Sequence, residues 1–183
     1  NKTLAMKIIT GINRMPITEQ TVAAIKEIAT KYNVSYSDIA ILFPYKQHKL
    51  IKYYFLYWLE TALDNADIPY SLITASLDGT FDRKRYSETN GVILSTIDSS
   101  LGLDFKAVIV TGLYPYNYVF GDNYYKKTIS SWRTIKEMPD DDRDQVQSQM
   151  RSIYTACSRA REVLYVLSDL TEGTPMEEIL LKR

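Results

Sequence analysis

The chain has 183 residues, 45% of them apolar and 24% charged, which suits one domain with a full hydrophobic core. Lysine plus arginine and aspartate plus glutamate both number 22, so the formal net charge is zero. That excludes nucleic-acid binding by bulk electrostatics and leaves a local surface, with another domain alongside, as the route to it.

The lone Cys157 excludes an internal disulfide framework and fits a reducing, cytoplasmic setting; one histidine and one cysteine argue against a bound metal such as zinc. No apolar run approaches the ~20 residues that span a bilayer, so no membrane partner is expected. The opening NKTLAMKIITGINRM has no signal-peptide pattern, and its first residue, asparagine, suggests a piece of something longer.

Taken in chain order, residues 6–12 (MKIITGI) read as a short apolar strand. Residues 17–33 read as a helix, with Thr18 as N-cap and an apolar face of Val22, Ile25, Ile28 and Ala29. DIAILFP, starting at Asp38, reads as a buried strand. Residues 50–67 form a helix rich in aromatics, with Phe55, Leu59, Ala62 and Leu63 on one stripe. Aromatics can stack on unpaired bases, but at helical spacing they more often belong to a core.

Residues 68–73 read as another strand, and the polar 75–90 as a surface segment. Strands follow at 91–97 and 107–113. A Tyr-rich, then acidic, segment runs from 114 to about 143. Residues 144–160 read as a helix, 162–168 as a last strand and the TPMEEILLKR tail as a short helix. Alternating strands and helices predict an α/β layer structure with a mainly parallel sheet, with ligands at the carboxyl ends of its strands. That rule directs attention to the segments after Phe43, Ile97 and Leu113.

Two stretches carry chemistry. The first is STIDSSLGLD, residues 95 to 104. Gly102 allows a tight backbone path or close approach to a ligand. Ser95, Thr96, Ser99 and Ser100 offer small hydroxyls and amides that suit phosphate oxygens. Asp104 can accept a ribose hydroxyl. Equally, this is a polar loop between two strands, with Asp104 capping its own backbone. The second is RSIYTACSRAREVLYV, residues 151 to 166. Arg151 and Arg159 are eight apart, two helical turns, and so are expected on similar faces. A guanidinium held at a helix end suits bidentate contact with a phosphate. The competing reading is a solvated basic face beside the acidic DDDRD.

In this order, the two blocks resemble motifs V and VI of the UvrD/Rep/PcrA group of superfamily 1 helicases. Motif V in that family runs roughly Thr-x-His-x-x-Lys-Gly-Leu-Glu-aromatic; here Thr96 to Phe105 read TIDSSLGLDF. Motif VI runs Arg-x-x-Tyr-x-x-x-Thr-Arg-Ala; here Arg151 to Ala160 read RSIYTACSRA, with one Thr-to-Ser change. GLYPY looks like the family's Gly-Leu-x-x-x-x-Phe-Pro region, and DIAILFPYK resembles motif IV. Ala62-Leu63 followed by DIPY resembles that motif's helix and next strand, so the likeness spans about residues 38 to 168.

The resemblance implies a RecA-like fold and one domain over residues 1–183, the second motor domain (2A) of a DNA helicase. It implies ATP and magnesium as cofactors, held mainly by an upstream N-terminal motor domain. No Gly-x-x-x-x-Gly-Lys-Ser/Thr occurs in this sequence. The family's large 2B insertion is expected to be absent, with only residues 75–90 in its place. By role, the resemblance makes Arg159 the catalytic arginine, with Gly102, Asp104 and Arg151 near the nucleotide. It sets Thr96, Asp98, Ser99, Tyr45 and Lys46 near single-stranded DNA.

The departures are specific. Asp98 stands for the motif V histidine, Leu101 for its lysine and Asp104 for its glutamate. The motif IV arginine has only weak candidates in Lys49, Lys52 and Tyr57. These changes keep open a second reading, a binding module that retains the fold without the motor.

Overall fold

The computed structural model describes residues 3–9, 14–44, 54–73, 90–113, 136–137 and 139–168. Six strands make one sheet: β1 (Ala5–Ile9), β2 (Ile39–Phe43), β3 (Tyr70–Leu72), β4 (Val92–Thr96), β5 (Phe105–Leu113) and β6 (Ala160–Ser168). Their order is β1-β6-β5-β2-β4-β3, and every pairing is parallel. Helices α1 (Arg14–Lys31), α2 (Phe55–Asn65) and α3 (Asp140–Cys157) cover the faces. This is the α/β, RecA-like architecture expected from the alternation of elements.

The central strands have no polar side because both their faces are covered. All five residues of β2 are buried. Side chains alternate between two cores. Ala40, Leu42, Val108, Val110, Leu164 and Val166 point to the face of α3, where they meet Ile153, Ala156 and Cys157. Ile39, Ile41, Phe43, Ala107, Ile109 and Tyr165 point to α1 and α2, where they meet Ile25, Ile28, Phe55 and Leu59.

Element ends differ from the sequence expectation for identifiable reasons. Helix α1 starts at Arg14, and Pro16 lies in its first turn, where a missing N–H costs nothing. Thr18 is therefore a buried residue inside the helix, not its N-cap. Helix α2 ends in a Schellman motif. Asp67 takes a left-handed φ of 54°, Ile68 N–H donates to Leu63 O at 3.0 Å, and Asp67 N–H donates to Asp64 O at 3.1 Å. Leu63 and Ile68 are both buried there.

Helix α3 starts at Asp140, directly after Pro139, and Asp140 and Asp141 lie in its first turn. The acidic run is thus helical, with its charge against the positive helix end. The polar segment at 75–89, the Tyr-rich segment to residue 135 and the expected tail helix lie outside the described residues. Among the described residues no helix is long and apolar enough to cross a membrane.

Candidate functional site

The segment STIDSSLGLD is a crossover. It leaves β4 at its carboxyl end and returns to β5 at its amino end, passing over β2. Ser95 and Val110 both register with Leu42. Phe105 lies five residues before Val110, so roughly 16 Å of sheet separates the two ends of the segment. A single 3-10 turn, Asp98–Ser100, replaces the helix that usually makes such a return. The candidate residues of this segment therefore divide between two edges of the sheet.

At the carboxyl edge sit Thr96, Asp98 and Ser99. Ile97 N–H donates to Phe43 O at 2.9 Å, which ties the ends of β2 and β4 together. Thr96 Oγ1 accepts from Ser99 N–H at 3.2 Å and donates to Ser99 Oγ at 2.9 Å. Asp98 is exposed beside this turn. Two of the four hydroxyls expected to be available are not. Ser95 and Ser100 are buried, donating to Thr96 O at 2.8 Å and Ile97 O at 2.6 Å. Their side chains satisfy the crossover's own backbone, which has few ladder partners. Tyr45 and Lys46 lie outside the described residues, as do Lys49 and Lys52.

At the amino edge the starts of β5 and β6 meet. Phe105 N–H donates to Arg159 O at 2.9 Å, and Phe105 registers with Ala160. Helix α3 closes just before this point. Ser158 N–H donates to Tyr154 O at 3.0 Å, Arg159 N–H to Ala156 O at 3.1 Å, and Ser158 Oγ to Thr155 O at 2.6 Å. The Arg159 backbone is thus held from both sides. Its side chain is 21% exposed, and its Nε is buried without a hydrogen-bond partner among the described residues. One terminal nitrogen lies 3.9 Å from Asp104 Oδ1, an ion pair too long to be a hydrogen bond. Asp104 itself is 63% exposed.

Gly102 completes this edge. Its φ is 80°, and a Cβ added there would meet no atom within 4 Å. Glycine is therefore required by backbone conformation and not by crowding. Leu101 beside it is 52% exposed. The amino edge so presents a cation, an anion and an accessible backbone side by side. That donor set fits the phosphate and ribose groups of a nucleotide.

The structure does not bring Arg151 into this group. Arg151 is exposed on α3, whereas Arg159 lies beyond the helix end. The eight-residue spacing therefore no longer sets a common face, because the helix stops at Cys157 so that β6 can pair with β5. No ion pair or hydrogen bond among the described residues joins Arg151 to Arg159 or Asp104.

Sequence reasoning also misses a groove between α1 and α2. Thr18 and Lys26 line one wall, and Tyr57 and Asn65 the other. These residues come from different βαβ units, so no local spacing could pair them. The aromatic run of α2 is the signal that points toward it.

The chain is a RecA-like α/β domain with opposed clusters at the two sheet edges. No protein-family model and no curated protein matches the chain. Among solved structures it is similar to the C-terminal domain of a possible DNA helicase from Lactobacillus plantarum WCFS1. The identity is 18% and the TM-score 0.56, over 100% of this chain and 83% of that one. At that identity the likeness shows the shared fold.

Proposed function

We propose that this chain is the C-terminal motor domain of an ATP-dependent DNA helicase or translocase. In this reading it contributes a catalytic arginine and part of the surface that holds single-stranded DNA. The observation that carries it is Arg159: backbone-held, mostly buried, with Nε unpartnered among the described residues and a loosely paired guanidinium at the amino edge of the sheet. The motif resemblance and the fold shared with the C-terminal domain of a possible DNA helicase support the same reading.

Each residue has a role in it. Arg159 neutralises charge that develops on the transferred phosphoryl group, an effect of order 10³ to 10⁵ in rate. Asp104 orients Arg159 and accepts a ribose hydroxyl. Gly102 lets the backbone approach phosphate oxygens. The phosphate-binding loop and the magnesium-binding acid belong to the N-terminal motor domain, and ATP supplies the phosphoanhydride between the two. At the other edge Thr96 and Ser99 contact the strand. The anionic Asp98 repels phosphate and so faces a sugar or a base. Because the crossover links the two edges covalently, closure around nucleotide moves the strand-facing turn with it.

The test is strand-stimulated ATP hydrolysis by the full-length protein. Arg159→Ala is expected to lower it by about a thousandfold or more with the fold intact. Arg159→Lys is not expected to restore it, because a point charge does not reproduce the planar fork. One observation favours a second reading: Asp98 and Leu101 stand where the family has His and Lys. A full-length protein that binds the strand without stimulated hydrolysis is then a binding module on a motor-derived fold.

A further inference from the structure

Strands β5 and β6 do not keep one register. Phe105 is paired with Ala160, but Ala107 with Val163, so two residues of β6, Arg161 and Glu162, stand opposite the single Lys106. A second irregularity, between Val110 and Leu113, restores the first register at the far end. Bulges are rare between parallel strands, and beside a functional site they re-aim a side chain. This one adjoins Arg159, whose carbonyl accepts from Phe105. From it we infer that Arg161 is a second phosphate-binding cation at the amino edge, one that holds the polyphosphate of a nucleotide beside Arg159. The inference rests on the nucleotide reading of that edge and adds a residue to it.

The charges around the bulge divide into pairs with one left over. Arg159 lies 3.9 Å from Asp104 Oδ1, and Lys106 Nζ lies 3.7 Å from Glu162 Oε2. Arg161 is exposed, and among the described residues no ion pair or hydrogen bond engages it. These five residues together carry one surplus positive charge, on a chain whose formal net charge is zero. The surplus is a guanidinium, whose planar fork suits two phosphate oxygens.

The backbone sets the spacing. Ala160, between the two arginines, packs against the α3 core. Side chains alternate along a strand, so the residues on either side of Ala160 project away from that core, about 7 Å apart at the rise of a strand. Two cations so placed bridge neighbouring phosphate groups. Their roles differ. Arg159 meets charge that develops during the reaction, whereas Arg161 meets phosphate oxygens that are charged from the start. Arg161 therefore strengthens binding of substrate and transition state alike, which lowers KM and leaves kcat unchanged.

The experiment uses the full-length protein with single-stranded DNA present. It reads ATP hydrolysis over a range of ATP concentrations, and calorimetric binding of inorganic tripolyphosphate. Arg161→Ala, at an exposed position that should leave the fold intact, is expected to raise the KM for ATP and the Kd for tripolyphosphate roughly 10-fold each, with kcat within about twofold. Both effects should shrink as salt is raised, because exposed charges are screened. Arg161→Lys keeps the charge without the fork and is expected to fall between the two. If Arg161→Ala leaves KM and tripolyphosphate affinity unchanged while Arg159→Ala abolishes turnover, the inference is overturned and the motor reading stands. If Arg161→Ala lowers kcat at unchanged KM, Arg161 acts in the transition state and its assignment to ground-state binding is wrong. If the unaltered protein binds tripolyphosphate through Arg161 but hydrolyses no ATP, the phosphate site stands and the motor reading fails. If it neither binds tripolyphosphate nor hydrolyses ATP, both fall.

Discussion

Arg159 owes its character to one backbone bond. Its carbonyl accepts from Phe105, the first residue of the neighbouring strand. The side chain therefore starts from a fixed point even though, among the described residues, its ion pair with Asp104 is 3.9 Å long. A loosely paired cation on a rigid base can reorient toward a ligand without unfolding anything. Gly102 is fixed differently, by its φ of 80°. Gly102→Ala is expected to cost about 1 kcal/mol in denaturant-measured stability, because the left-handed backbone disfavours a Cβ while the space around it is open. A loss above about 3 kcal/mol would mean that crowding, not backbone strain, governs the position. Glu27 gives a pH-dependent prediction. Its carboxyl is held below its ordinary value of 4.5, chiefly by the Lys7 hydrogen bond and against a smaller opposing effect of burial. Lys7 Nζ meets both oxygens, at 3.2 and 3.3 Å, in a largely exposed pair. The pair stabilises the fold above pH 4.5, and that contribution disappears as pH falls through the lowered folded value. Glu27→Gln is expected to cost about 0.2–1 kcal/mol near neutrality and to converge with the parent in acid, as paired urea titrations would show.

Between elements, one polar contact crosses the apolar core beneath α1. Thr21 Oγ1 donates to Ile17 O at 2.7 Å and lies 2.8 Å from Thr111 Oγ1, with both threonines fully buried. A hydroxyl has one proton, so Thr111 donates to Thr21. Thr21→Val is expected to cost about 1–3 kcal/mol by leaving the Thr111 hydroxyl buried and unpaired. Adding Thr111→Val should recover part of that loss, since no unpaired group then remains. Simple additivity in denaturant melts would show that the contact is incidental. The same helix–strand logic limits α3. Its sequence continues in helical pattern to Ala160, but Ala160 is taken by pairing with Phe105. Tertiary pairing ends the helix at Cys157 and puts Arg159 beyond it.

Across the whole molecule, the amino and carboxyl edges of one parallel sheet carry the two candidate activities, and the crossover from Ser95 to Asp104 joins them. In the proposed reading this layout holds half a nucleotide site. The 183-residue chain contains no phosphate-binding loop motif, so alone it is expected not to hydrolyse ATP. Phosphate release by the purified chain above background would refute that. Much of the fold was legible in the sequence, because local physics determines it. The apolar runs of β2, β4, β5 and β6 demand burial on both faces, and the Ile25, Ile28 and Phe55, Leu59, Leu63 spacings demand helices against them. The motif residues themselves, Gly102, Asp104 and Arg159, were also readable, since each lies within one short segment. Their arrangement was not. The rule that ligands gather at carboxyl ends points to Thr96 and Asp98 and away from Asp104 and Arg159. Helical periodicity places Arg151 with Arg159, where the end of α3 separates them. The groove of Tyr57 with Lys26 needs two helices from different βαβ units. Spacing along a chain records neighbours within an element, whereas which edges and helices meet is decided by strand order and by where pairing stops each helix.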